Sequence, residues 1–205
     1  MKLLHNFKKH VKDNVLLYFA LIIVFMIGIS SGAITINMLK GTQKEELIKF
    51  LDSFFKVINE NDVDNILLVK QSFKNNLQTL IMIWFLGITV IGIPLVAGVV
   101  LLRGFVVGFT VGFLVKELGL KGFLFSILSI LPQNIFLIPW IIASSVVSIG
   151  FSIKIIKSRT NKSNKFVFLN ELTRYSIVIG ILFLISIIGI LIESYATPMF
   201  MKLIS

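Results

Sequence analysis

Leu77–Val115, LQTLIMIWFLGITVIGIPLVAGVVLLRGFVVGFTVGFLV, contains a single charged residue, Arg103. As one helix at 1.5 Å per residue it would be about 58 Å long, roughly twice the hydrocarbon thickness of a bilayer. The stretch therefore reads as two helices folded against each other. Gly92-Ile93-Pro94 is the hinge, because Pro94 has no N–H to give to a preceding turn and Gly92 tolerates a reversal.

The surrounding sequence has the same character. Of 205 residues, 56% are hydrophobic and only 15% charged, and the mean hydropathy is +0.95. A soluble domain carries about a quarter of its residues as charged types. One membrane domain with short exposed segments accounts for the deficit. Val15–Ile36 is an uninterrupted apolar run, longer than a signal-peptide core and without a following small-x-small site, so it reads as a retained first span. Residues 123–149 form another span, kinked at Pro132 and Pro139, and Leu172–Ile192 form the last, with Tyr175 and Tyr195 at the interfaces.

Charge orients these spans. Ten of the twenty basic residues fall in two places: Lys2, Lys8, Lys9 and Lys12 in the tail 1–14, and Lys154, Lys157, Arg159, Lys162, Lys165 and Arg174 in and around a loop at 150–171. Basic loops stay on the cytoplasmic side, so an even number of spans must separate the two. Spans at 77–92 and 94–115 satisfy that parity. The expected fold is an all-α bundle of five transmembrane helices, with the N-terminus cytoplasmic and the tail 193–205 outside. The net charge of +10 is then topology first and attraction to anionic membrane lipid second, and no nucleic-acid role is expected. Cysteine is absent, which removes disulfides and thiolate sites.

Residues 37–76 are the only sizeable polar segment and fall outside in this topology. They hold six lysines and six acidic residues. Thr42-Gln43-Lys44-Glu45 reads as a capping box. Leu47, Phe50, Leu51, Phe54, Phe55 and Ile58 then fall on one helical face, and a second short helix after Asp62 turns Val63, Ile66, Leu67 and Phe73 inward. Such helices need a surface, which the outer leaflet, the other spans or a partner could supply.

Few residues invite a functional reading. Arg103 lies inside a span, where it costs about 2.5–3.5 kcal/mol unless paired or hydrated. It either holds an anion or a protein interface, or it snorkels or meets a backbone carbonyl, and no Asp or Glu stands well inside a span to pair with it. Gly104, Gly108 and Gly112 recur every four residues and clear a stripe for another backbone. The partner helix could come from the same chain, a second copy in a homo-oligomer, or another protein. Pro132-Gln133-Asn134 makes either a polar crevice or a kink whose amides bond neighbouring helices. His5 and His10 read as solvated tail residues. No phosphate-binding loop, zinc motif or nucleophile elbow occurs. No catalytic residue, metal site or cofactor is therefore expected, and an enzyme is not.

The Asn75-Asn76 pair, the Gly-Ile-Pro turn at 92–94, RGFVVGFTVGFL at 103–114 and LPQNIFLIPW at 131–140 together resemble the stage II sporulation protein M family over nearly the whole chain. The resemblance implies a multi-pass protein of the mother-cell and septal membrane that acts in forespore engulfment. It also implies a non-enzymatic scaffold that anchors two peptidoglycan-degrading enzymes, stage II sporulation proteins P and D. Broader relatives carry a Pro-His-Gly-x-x-Glu-like stretch where this chain has Pro132 to Leu137, so ion or proton chemistry does not carry over. The competing expectation is a permease subunit for a small solute, with Arg103 and the broken span lining its path.

Overall fold

The computed structural model describes residues 10–59, 65–89, 91–160 and 165–196, and every element among them is helical. In chain order these are α1 (Val15–Thr35), a 3-10 turn (Ile36–Met38), α2 (Gly41–Asn59), α3 (Asn65–Ile88) and α4 (Gly92–Leu118). They are followed by α5 (Leu120–Ser129), α6 (Leu131–Thr160), α7 (Lys165–Leu191) and a π-helical turn (Ile192–Ala196). Four segments are long and apolar enough to cross a membrane: Val15–Met38, Gly92–Leu118, Leu131–Lys157 and Phe168–Tyr195.

The bundle is apolar outside and partly polar inside. Leu16, Phe19, Met26, Leu102, Ile181 and Leu184 face outward, whereas Ser144, Ser145, Ser148, Ser152 and Ser186 are completely buried. Water would reverse that arrangement. In lipid the outward face needs apolar side chains, and helices meet each other through small residues and hydroxyls. Ile83, Val96, Val100, Trp140, Ile141 and Val146 fill the space between α3, α4 and α6.

Contacts fix the direction of each helix. Phe25, Ile29 and Ala33 of α1 lie beside Gly104, Gly108 and Gly112 in turn, so α1 and α4 run parallel. Thr79 meets Arg103 and Leu86 meets Gly92, so α3 runs opposite to α4. Ser148 and Ser152 bond the carbonyls of Ile83 and Gly87, which makes α6 parallel to α3. Trp140 packs on Phe183 and Lys154 pairs with Glu171, which makes α7 antiparallel to α6. The five long helices alternate in direction.

Several boundaries differ from those expected. The span expected at 77–92 falls in one helix, α3, that starts at Asn65 and ends at Ile88, so there is no separate short helix after Asp62, and α3 is not among the four membrane-length apolar segments. Ile66 and Leu67 are exposed, and α3 instead turns Ser72, Asn76, Thr79 and Ile83 inward, because its inner face meets polar groups on α4 and α7. Val63 lies outside the described residues. The span expected at 94–115 extends over Gly92–Leu118.

The span expected at 123–149 is two helices. It breaks at Ile130, and Pro132 sits in the first turn of α6, where its missing N–H costs nothing. Only Pro139 lies inside a helix. The expected 150–171 loop is largely helical, since α6 continues to Thr160 and α7 starts at Lys165. The last helix thus runs over Lys165–Leu191, and its membrane-length apolar segment over Phe168–Tyr195 rather than 172–192.

Two turns match their chemistry. At 89–92, Gly92 donates to the Thr89 carbonyl and its Cα lies against the Leu86 carbonyl, which leaves no room for a side chain. Gly119, at φ 58°, closes α4 with its N–H on the Val115 carbonyl in a conformation that favours glycine.

The cap of α2 falls two residues before the expected one, Thr42. Lys40 precedes its first residue and receives the Gln43 side chain on its backbone N–H at 3.2 Å, so Gln43 rather than Glu45 supplies the back-reaching acceptor. Among the described residues α2 touches the bundle at two points. Lys44 pairs with Glu117 at 3.1 Å, and Leu51 packs on Leu114 and Phe125. Leu47 is half-buried, but Phe50 is turned outward and 71% exposed. The side chains of Phe54, Phe55 and Ile58 lie outside the described residues.

Candidate functional site

Two features join helices through residues that membrane helices seldom carry without reason. The first is the seam between α1 and α4. Leu101, Gly104, Phe105 and Gly108 of α4 meet Phe25, Gly28, Ile29 and Gly32 of α1 backbone to backbone. A methyl group at Gly104 would collide with the Phe25 carbonyl, and one at Gly108 with the Ile29 carbonyl. Reciprocally, one at Gly28 would strike the Leu101 carbonyl and one at Gly32 the Phe105 carbonyl. Gly112 is looser, because its nearest obstacle is the tip of the Ile36 side chain at 2.8 Å.

The glycine stripe expected on α4 is thus met by a second one, Gly28-x-x-x-Gly32, in the same chain. That second stripe was readable in the sequence at the same spacing but is embedded in a run of apolar residues. Lys116 closes the C-terminal end of the seam by donating to the Ile36 carbonyl at 3.2 Å and to Asn37 Oδ1 at 3.1 Å.

The second feature is a buried polar cluster on α3. The Arg103 guanidinium donates to the Thr79 hydroxyl, which in turn donates to the Asn75 carbonyl at 3.0 Å. Asn76 is 3% exposed and donates to the Ser72 carbonyl at 2.9 Å. The Ser72 hydroxyl donates to the carboxylate of Glu193, which lies close enough for its charge to act on Arg103. Arg103 therefore rests on a side-chain hydroxyl, with Glu193, an acid at the end of the last apolar segment, near enough to feel its charge. Glu193, counted in the sequence as the start of an exterior tail, is carried inward by the π-helical turn that packs on α3. Glu117, the acid nearest to Arg103 in sequence, is occupied by Lys44. Asn76 Oδ1 and Glu193 Oε2 remain buried without a hydrogen bond among the described residues.

A third set of contacts secures the other end of α3. Ser152 donates to the carbonyls of Gly87 and Thr89 at 2.7 and 3.2 Å, and Tyr175 Oη donates to that of Trp84 at 3.0 Å. Trp84 Nε1 donates to Ser176 Oγ at 3.0 Å. The last carbonyls of a helix have no intrahelical partner, and within a bilayer no water replaces it. Neighbouring hydroxyls supply the missing donors.

The Pro132-Gln133-Asn134 segment lies in the first turn of α6. Asn134 Nδ2 donates to the Ile130 carbonyl at 2.7 Å and bridges the break in its own helix, not a neighbouring one. His10 is not a freely solvated tail residue. It is half-buried, contacts Tyr18 edge-on, and its Nδ1 accepts from Asn14 Nδ2 at 3.4 Å; burial lowers its pKa, with Asp13 opposing the effect and Lys154 adding to it. His5 lies outside the described residues. Among the described residues no group of His, Asp and Glu has the arrangement of a metal site.

No curated protein and no solved structure matches this chain. The Stage II sporulation protein M family model matches residues 21–198, which takes in the α1–α4 glycine seam, the Arg103 cluster and all the long helices. The chain belongs to the stage II sporulation protein M family.

Proposed function

We propose that the chain is a five-span, non-enzymatic scaffold of the cell membrane that holds peptidoglycan-degrading enzymes, stage II sporulation proteins P and D, at the septum during engulfment. The family match over residues 21–198 carries this reading. The alternation of the five long helices supports the span count. Because α1 and α4 run parallel, the chain must return along the bundle between them, and α3 is the helix that does so. Helix α3 is 24 residues long, about 36 Å, and its polar inner face is covered by α4, α6 and α7. The N-terminus then lies in the cytoplasm and α2 outside. Phe50, turned away from the bundle, is an apolar contact point for an external partner.

Two experiments test the reading. Affinity capture of the full-length protein from sporulating cells is expected to recover the two cell-wall enzymes. Recovery of an ATP-binding subunit together with solute uptake would instead support a permease subunit. Topology is tested by single cysteines in a chain that has none of its own. Cysteines at Ser53 and Lys157, both exposed, are expected to react with an impermeant maleimide from opposite sides of the membrane. Labelling from the same side would rule out five spans.

A further inference from the structure

A cavity of about 620 Å³, within the size range of ligand pockets, opens between the start of α1, the end of α6 and the first half of α7. Its lining is graded. His10, Asn14, Lys154, Glu171 and Arg174 stand at one end, and Val147, Val178, Ile181 and Leu182 line the other. From Glu171 to Leu182 the helix rises about 16 Å, close to the depth of one leaflet of the hydrocarbon. Lys154 is paired with Glu171 at 3.0 Å, while Arg174 has no acidic partner among the described residues, so the polar end keeps an unneutralised positive charge. His10 Nε2 and Tyr18 Oη, both on lining residues, are shielded from solvent and lack a hydrogen-bond partner among the described residues. None of these groups serves the glycine seam or the Arg103 cluster.

We propose that this cavity is a binding site for one anionic phospholipid of the cytoplasmic leaflet, with its phosphate at Arg174, Lys154 and His10 and an acyl chain along Val178, Ile181 and Leu182. The charge and the grading together select this occupant. A free anion would leave the apolar two-thirds empty, and an apolar helix from a partner would bury Arg174 without a counter-charge. Basic pockets between membrane helices on the cytoplasmic side take acidic lipid headgroups in this way. The site rests on the membrane orientation proposed above, which the cysteine labelling tests, but not on the scaffold role, so it can fail or hold separately from the proposed partners.

The test uses purified full-length protein in detergent and native mass spectrometry with phosphatidylglycerol, with phosphatidylcholine of the same chains, and with inorganic phosphate. One phosphatidylglycerol per chain is expected to be retained, in preference to phosphatidylcholine. Gly150→Leu fills the cavity from a position where an added Cβ meets nothing within 4 Å, and it should abolish retention while the thermal melt is unchanged. Arg174→Gln with Lys154→Gln keeps the cavity but removes its charge, and should lower the preference for phosphatidylglycerol about tenfold. Equal retention of both lipids, competition by inorganic phosphate alone, a dimer that excludes lipid, or unchanged retention in both folded variants would each overturn the site.

Discussion

Gly108→Leu is expected to separate α1 from α4 and to be the most damaging single substitution in the chain. Gly108 lies on the Ile29 carbonyl, and Gly104, Gly28 and Gly32 make equivalent contacts on either side. Backbone cannot yield as a flexible side chain can, so the loss should reach about 3 kcal/mol, the upper end of overpacking effects. Gly108→Ala should already be harmful, because the first added carbon makes the collision. Gly98 and Gly180 provide the controls. An added Cβ at either meets nothing within 4 Å, and alanine there should leave stability unchanged or slightly raised. The measurement is the thermal unfolding midpoint of detergent-purified variants, with cysteine cross-linking between α1 and α4 as a direct readout. A Gly108→Leu protein that melts with Gly98→Ala and still cross-links would remove the seam from the account of this fold.

The second large effect concerns Arg103. Arg103→Leu leaves Glu193 and Asn76 with buried acceptors and takes away the charge that faces the carboxylate. Losing a hydrogen bond made by a charged group, with a buried acceptor left behind, costs about 1.5–3 kcal/mol. Here the charges also lean on the hydroxyls of Thr79 and Ser72, so a value near the lower bound is expected. Glu193→Gln alone should be harmful too. The double variant should recover about half of the summed loss, because neither charge is then left alone. Strictly additive effects in that cycle would mean that the two groups do not act on each other. The same residues separate the two functional readings, since a solute pathway through Arg103 would show uptake lost in Arg103→Lys while the fold stands, and a scaffold would not.

The architecture places these two features in series. The seam fixes α1 on α4, Arg103 on the same helix ties α4 to α3, and Glu193 ties the end of α7 to α3. At the opposite end Ser148, Ser152 and Tyr175 tie α6 and α7 to α3 through its carbonyls. Helix α3 is thus held by polar contacts at both ends and by apolar packing around Ile83 between them. This explains how a helix carrying Lys70, Gln71, Lys74 and Asn75 in its first half sits among four strongly apolar ones.

Much of this was legible in the residues alone. The apolar runs and the glycine period on α4 are local in sequence, and each follows from length or the 3.6-residue turn. The hinge expected at Gly92–Pro94 instead falls just before it, between Ile88 and Gly92, and Gly92, Ile93 and Pro94 form the first turn of α4. Lipid as solvent makes such patterns strong, because every exposed position must be apolar. What escaped were partnerships between distant positions. Arg103 and Glu193 are separated by the whole of α5, α6 and α7, and nothing local says that a π-helical turn will bring the acid back. Asn76 and Ser72 looked like the end of an exterior segment, because their burial depends on helices that arrive later in the chain. The first turn of α6 was mistaken for a kink because proline near a helix start and proline inside a helix look alike until the break at Ile130 is placed. Composition and periodicity therefore determined which segments avoid water. Only the packed structure decided which polar groups meet, because a buried hydrogen bond or charge is satisfied by proximity in space and leaves no spacing in the sequence to read.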